Sequence, residues 1–374
     1  MKKTTLFKTM LLLCALIVGS GSAWAIGIYE KVTSATNLTD GTFLIVYEGT
    51  GDEHTGAVCF NGSLTTLDAG KNGISVTINE GVIVGSADID AATFSVNVTN
   101  KTLLSASGLY IGINSYGNGL KTSENASTYP NDYLTIDDDS GNAVIGRNFT
   151  NKGSAVTMDL RYNSSDGDNN LRFRFYKDKG QKAIALYKLT KERVAITSAG
   201  YATYVSDNAL NYSGISGLTA YRATVSANKV SFSAVTEVPA EEGVLLKGEA
   251  GNYDVPVIAS ASDITNDFVR GNDAAVPSSA DGKYNFILNK VGDVVAFYAA
   301  NGQTVAKNRA YLQSTTAPGA HGLEMSFDDS VTAITEVKGQ KTEGRGEFYN
   351  LAGQRMAQPT KGLYIVNSKK VIIK

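Results

Sequence analysis

Tryptophan, cysteine and histidine are almost missing from this chain of 374 residues, which has one tryptophan, two cysteines and two histidines. Trp24 and Cys14 both lie in the first 25 residues. Beyond them there is no indole to stack on a ligand, and Cys59 is the only cysteine, which excludes an internal disulfide. Packed apolar cores must hold the fold instead. His54 and His321 are the only histidines, and neither begins an H-E-x-x-H motif, so imidazole chemistry has little material. A G-x-S-x-G elbow, a P-loop and a dinucleotide fingerprint are absent as well.

What stands at the start is an export signal. Lys2, Lys3 and Lys8 precede an apolar stretch over 11–18, and Ala23-Trp24-Ala25 supplies an A-x-A end. The stretch is far shorter than the roughly 20 apolar residues a membrane span needs. Residues 1–25 therefore read as a signal peptide cut between Ala25 and Ile26. The rival reading, a lipid anchor on Cys14, is opposed by bulky Leu13, where such sites want a small residue. Removing 1–25 takes away three lysines and no acid, so the formal net charge moves from −2 to −5. Nothing in that balance favours nucleic acid as a partner.

Apolar and polar residues alternate with a period of two almost everywhere. Ile74-Ser75-Val76-Thr77-Ile78-Asn79, Phe94-Ser95-Val96-Asn97-Val98-Thr99 and Leu171-Arg172-Phe173-Arg174-Phe175 each place one face on a core and one in water. Gly, Asn, Asp and Ser cluster between such runs, at 68–73, 114–119 and 163–170, and no long amphipathic helix stands out. The predicted fold class is all-β: a β-barrel or β-sandwich over 26–190, a β-sandwich over 191–335, and a linker with a short β-hairpin tail over 336–374. The first boundary is set near Thr190, where the strand over 184–189 runs into Lys191-Glu192-Arg193. The second follows from the charged, Gly-containing stretch 338–347, which reads as a linker. Residues 336–374 carry eight basic and three acidic side chains, a net +5 that leaves −10 on 26–335.

Three constellations suggest chemistry and each has a plainer reading. Cys59 with His54 has the residue types of a nucleophile and base, but a cysteine in Ala57-Val58-Cys59-Phe60 is ordinarily a small buried hydrophobe. Asp166, Asp168 and Asn170 begin like a calcium loop, yet Leu171 stands where glycine is needed and Lys177 where a bidentate glutamate is needed, so a polar hairpin turn fits better. Asp137-Asp138-Asp139 beside Ser140-Gly141-Asn142 reads as a solvated turn. No residue is assigned to catalysis or to a metal, and no cofactor is implied. The most binding-like stretch is 110–133, where Tyr110, Tyr116, Tyr129 and Tyr133 alternate with Asn114, Asn118, Asn125 and Asn131. Rings that stack and amides that donate and accept suit a glycan. Tyrosine is also a good strand residue and asparagine a good turn residue, so β-structure alone generates the same interleaving.

Phe348-Tyr349-Asn350-Leu351-Ala352-Gly353-Gln354-Arg355-Met356, followed by Lys361-Gly362-Leu363-Tyr364-Ile365-Val366 and a basic end, resembles the C-terminal tails of secreted Bacteroidetes proteins, especially of Prevotella and Bacteroides. It looks like the last strands of a type IX secretion sorting domain. Gly200-Tyr201-Ala202-Thr203-Tyr204, the run 238–248 and Asn308-Arg309-Ala310-Tyr311-Leu312 resemble a module that often precedes such tails. The runs 38–48 and 181–189 resemble another exported module of these bacteria. The resemblance implies export, a cell-surface or extracellular location with the periplasm as alternative, and the export machinery as a partner of the tail. It carries no catalytic assignment. The reading is a non-catalytic, adhesin-like binding protein for a surface ligand such as a glycan. The alternatives are a glycan-acting hydrolase using a carboxylate pair, or its accessory module, and a structural envelope component.

Overall fold

The computed structural model describes residues 26–49, 56–165, 171–177, 180–319 and 322–328, and the backbone of strands within 335–337, 348–349, 355–356, 362–366 and 369–373. The protein is all-β, 55% strand and 3% helix, so two-residue alternation decides which side chains are buried. Among the described residues, helix is limited to the 3₁₀ turn Ala35–Asn37 and the five-residue α-helix Ala87–Ala91, whose N-cap Ser86 accepts the Ile89 amide.

The alternating runs fold as their pattern dictates in two cases of three. Phe94 and Val96 of the strand Phe94–Asn97, and Phe173 and Phe175 of the strand Arg172–Tyr176, all enter one core. In the third run only Gly73–Ser75 joins a ladder. Ile74, Val76 and Ile78 nonetheless pack, partly buried, against the core of Tyr29, Leu44 and Tyr187.

The first core lies between the large 13-stranded sheet and a four-stranded antiparallel sheet. It takes Phe43, Ile45, Phe60, Phe94 and Leu186 from the former and Leu134, Ile145, Leu160 and Phe173 from the latter. Rings stack through its middle: Tyr47 on Tyr162 at 4.7 Å and Phe60 on Phe173 at 5.1 Å between centroids. Isolated bridges, Gly119 to Phe175 and Ala143 to Ile184, tie the two sheets together around it.

The strand expected to end at Leu189 instead runs unbroken over Ala185–Ile196, so position 190 falls inside it. One of its edges pairs along Ile26–Lys31. The other is divided, pairing first with Gly41–Tyr47 and then with Gly251–Ile258. Lys191-Glu192-Arg193 continues the strand because each charge finds a partner on a neighbour. Lys191 reaches Glu30 at 2.8 Å, and Arg193 grips Asp254 bidentately at 2.6 and 2.9 Å. Buried Glu192 accepts from Tyr204, Ser206 and Asn208.

Beyond this strand, a five-stranded sheet built on Leu218–Ser226 and Gly243–Gly248 is covered on both faces. Tyr221, Ala223 and Leu245 face one core while Ala220, Val244 and Leu246 face another, which explains the continuous apolar run at 244–246. In the tail, Thr335–Val337, Lys369–Ile373, Gly362–Val366, Phe348–Tyr349 and Arg355–Met356 pair in that order in one small sheet. Residues 1–25, expected to be a signal peptide, the stretch 338–347, His54, His321 and residues 166–170 lie outside the described residues.

Candidate binding site

Tyr133–Ile136, Ala143–Asn151, Ser154–Asn163 and Arg172–Tyr176 lie side by side, each antiparallel to the next. Leu134, Ile145, Leu160 and Phe173 point into the core, so the residues between them point outward. The register sets Tyr133, Gly146, Asp159 and Tyr176 in one row across the outer face. Arg161 opposite Arg174 forms a second row, and Asn163 opposite Arg172 a third.

Glycine at 146 makes the first row possible. A Cβ there would lie 2.5 Å from the Tyr133 hydroxyl and 2.2 Å from the Met158 carbonyl oxygen. The ring uses that gap and donates its hydroxyl to Asp159 Oδ1 at 2.6 Å. Asp159 Oδ2 in turn accepts from Arg161 Nη2 at 3.4 Å, and Arg161 Nη1 donates to the Gln181 carbonyl at 3.3 Å. Tyr133, Thr157, Asp159 and Arg161 with Ser140 and Asn142 line a pocket of about 470 Å³. Burial, reinforced by Asp159, raises the Tyr133 phenol above its ordinary range, so it remains a hydrogen-bond donor at neutral pH. At the rim, Asp137 forms the turn read from the sequence: its carboxylate accepts from the Ser140 amide at 2.9 Å, which holds it below the usual range.

Of Tyr110, Tyr116, Tyr129, Tyr133, Asn114 and Asn118, the six residues of that stretch expected to bind, Tyr133 alone lines this pocket. Tyr110 sits in the strand Tyr110–Gly112, opposite Leu104 and Ser123. Asn114, Tyr116 and Asn118 follow in an exposed loop, where Asn118 Oδ1 accepts the Lys177 amide at 3.0 Å and serves to tie two chain segments. Tyr129 is half-buried, with its backbone against Gly112, where a Cβ would come within 2.0 Å of the Tyr129 carbonyl oxygen. Sequence reading missed Asp159 and Arg161, and passed over Arg172 and Arg174, although the alternation at 171–175 already turned both arginines away from the core. Cys59 is fully buried and burial pushes its thiol up to about 12, so it packs as an apolar side chain. Ile26 opens the first described strand, and Ala25 lies outside the described residues.

A second cleft lies beside the long strand. Gly27 stands directly opposite Glu192, and a Cβ on it would lie 2.7 Å from Asp90 Oδ1, so the Asp90 carboxyl occupies the space a side chain at 27 would fill. Asp90 and Glu192 thus line one cleft of about 320 Å³, with Tyr29, Ser206, Asn208 and Arg270. Burial, with the nearby Glu192 adding to it, lifts Asp90 to about 6. Burial also raises Glu192. Both carboxyls are engaged by the chain itself: Tyr29 donates to Asp90 at 2.9 Å, and three neutral donors converge on Glu192. Arg270 is held by Asp207 and Glu241. A wider groove of about 850 Å³ continues from this cleft through Thr42, Leu189, Asp207 and Asn208.

Among the described residues no three His, Cys, Asp or Glu side chains gather as metal ligands, and no helix is long and apolar enough to cross a membrane. No family model, no curated protein and no solved structure matches the chain.

Proposed function

We propose that this protein is an exported, non-catalytic binding protein whose ligand is hydroxyl-rich, a glycan in the first instance, held at the Tyr133–Asp159–Arg161 pocket. The observation that carries this reading is the Tyr133 hydroxyl fixed on Asp159 over Gly146. It sets an aromatic edge, a carboxylate acceptor and a guanidinium donor side by side on a rigid sheet, the combination that recognises hydroxyl groups. Support for a barrel-like first module comes from the bridges that tie its two sheets around one core. The two-faced sheet beyond the strand Ala185–Ile196 supports a sandwich as the second module. Export, surface placement and a sorting role for the basic tail rest on the signal-like start and the tail motif. The test is binding of the purified chain to an oligosaccharide array, with Tyr133→Ala and Asp159→Asn reducing the signal; an array on which the wild type binds nothing defeats the glycan reading.

The hydrolase alternative has one observation in its favour, the Asp90 and Glu192 carboxyls in a common cleft with raised pKa values. Their saturation by internal donors weighs against it, since a catalytic pair needs oxygens free for substrate and water. Product release from a glycan panel, abolished by both Asp90→Asn and Glu192→Gln, would establish it.

A further inference from the structure

The outward face that carries Tyr133 continues along the Ser154–Asn163 and Arg172–Tyr176 strands as a row of arginines. Arg161 and Arg174 stand directly opposite each other, an arrangement of like charges that ordinarily destabilises a sheet. Each is neutralised by its own carboxylate: Asp159 takes Arg161, and Asp68 takes Arg174 bidentately at 2.5 and 2.7 Å. Arg172, two residues from Arg174 on the same face, has no carboxylate among the described residues. Among the described residues, three guanidiniums stand against two carboxylates, one positive charge in excess. Asp137, at the far rim of the pocket, is committed to its own turn.

Unmet hydrogen-bonding capacity gathers in the same place. The buried Nε atoms of Arg161 and Arg172, the Tyr176 hydroxyl and the Gln181 side-chain oxygen all lack a partner among the described residues. Arg172 lies beside the Tyr176 hydroxyl, where its charge and a side-chain contact both favour the phenolate, although no hydrogen bond of good geometry satisfies that hydroxyl or the Arg172 Nε. Buried polar groups are nearly always satisfied, so a cluster of orphans marks a place where something else completes them. Three of the four are donors, and the charge they carry together is positive.

We infer that this face is an anion subsite, and that the ligand of the Tyr133 pocket bears a carboxylate or sulfate group which Arg161, Arg172 and Tyr176 bind. The inference rests on the binding reading above and names its ligand class: an acidic rather than a neutral oligosaccharide. Arginine suits the task because its planar fork matches the oxygens of either group. The Gln181 oxygen is left to accept a neighbouring hydroxyl.

The experiment compares the full chain with Arg172→Gln and Arg172→Lys on matched neutral, carboxylated and sulfated oligosaccharides. In parallel, the melting temperature of each variant is read in sodium sulfate and in sodium chloride at equal ionic strength. Arg172 makes no ion pair among the described residues, so both variants are expected to fold. The expected result is that an acidic oligosaccharide binds about tenfold more tightly than its neutral counterpart, that R172Q removes this preference, and that R172K keeps part of it. The carboxylated and sulfated arms tell which group is read. The sulfate-induced rise in melting temperature should also be smaller in R172Q than in the wild type. Neutral and acidic ligands bound alike, with an equal sulfate response in both proteins, would overturn the anion subsite and leave the binding reading standing. A sulfate response that depends on Arg172, with no oligosaccharide bound, would overturn the glycan reading and leave the subsite.

Discussion

Arg161 and Arg174 face each other across two antiparallel strands, and the sheet tolerates them because Asp159 and Asp68 each hold one guanidinium. Asp68 comes from a turn more than a hundred residues earlier, so the pair also pins that turn to the sheet. It holds the Arg174 guanidinium above its ordinary pKa. Asp68→Asn should cost about 1–2 kcal/mol in urea unfolding, through loss of a half-buried bidentate pair and exposure of the like-charge contact. In the double variant with Arg174→Gln most of that loss should be absent, because the repulsion goes too. A strictly additive cycle would show that Asp68 and Arg174 are not coupled.

Gly146→Ala tests the row that carries Tyr133. The added carbon meets backbone at Met158 and the Tyr133 hydroxyl, neither of which can move without opening the ladder or breaking the bond to Asp159. Overpacking of this kind costs about 1–3 kcal/mol, and ligand binding at the pocket should fall with it. Gly153→Ala is the control, since open space surrounds that turn and only its left-handed backbone resists a side chain. Equal binding by both variants would dissociate Tyr133 from the site.

The Tyr29–Asp90–Glu192 cleft sets a pH dependence. Asp90 titrates at about 6 in the folded protein, against about 3.9 in an unfolded chain. Between these values the folded state holds a proton that the unfolded state has lost, so this group's contribution to stability falls as pH rises and is fully lost above about pH 7. Relative to the wild type, Asp90→Asn should therefore gain about 2–3 kcal/mol between pH 4 and pH 7, whatever constant cost the lost carboxylate imposes. Unfolding curves at these two pH values measure it. A difference that does not change with pH would mean that Asp90 is ionised normally.

Cys59 should be inert. A fully buried thiol pushed up to about 12 offers neither access nor thiolate at neutral pH. A disulfide reagent is expected to react only after denaturant is added. Rapid modification of the native protein would return Cys59 to consideration as a nucleophile.

For the tail, deletion of 348–374 in a host that exports the protein should retain it in the periplasm if the basic segment is a sorting signal. Unchanged surface or medium levels of the truncated chain would leave the tail a purely structural sheet.

Alternation along the chain is enough to give the all-β class and the direction of most side chains, because a strand allows only two faces. The same two-residue period puts Phe173 and Phe175 in a core and Arg172 and Arg174 outside it. The Asp137 turn is set by the sequence too, since an aspartate bonding to the amides just after it is a local event. Where the strand entering Lys191 stops depends on the assembled sheet, because its charges are answered by Glu30 and Asp254, both far away in sequence. The site was decided in the same way. Tyrosine spacing brought out six residues over 110–133, and pairing between strands kept Tyr133 for the pocket and spent Tyr110 and Asn118 on ladders and turns. The pocket needed Asp159, Gly146 and Arg161, which meet Tyr133 only through register, and register is fixed by contacts between strands that no local pattern encodes.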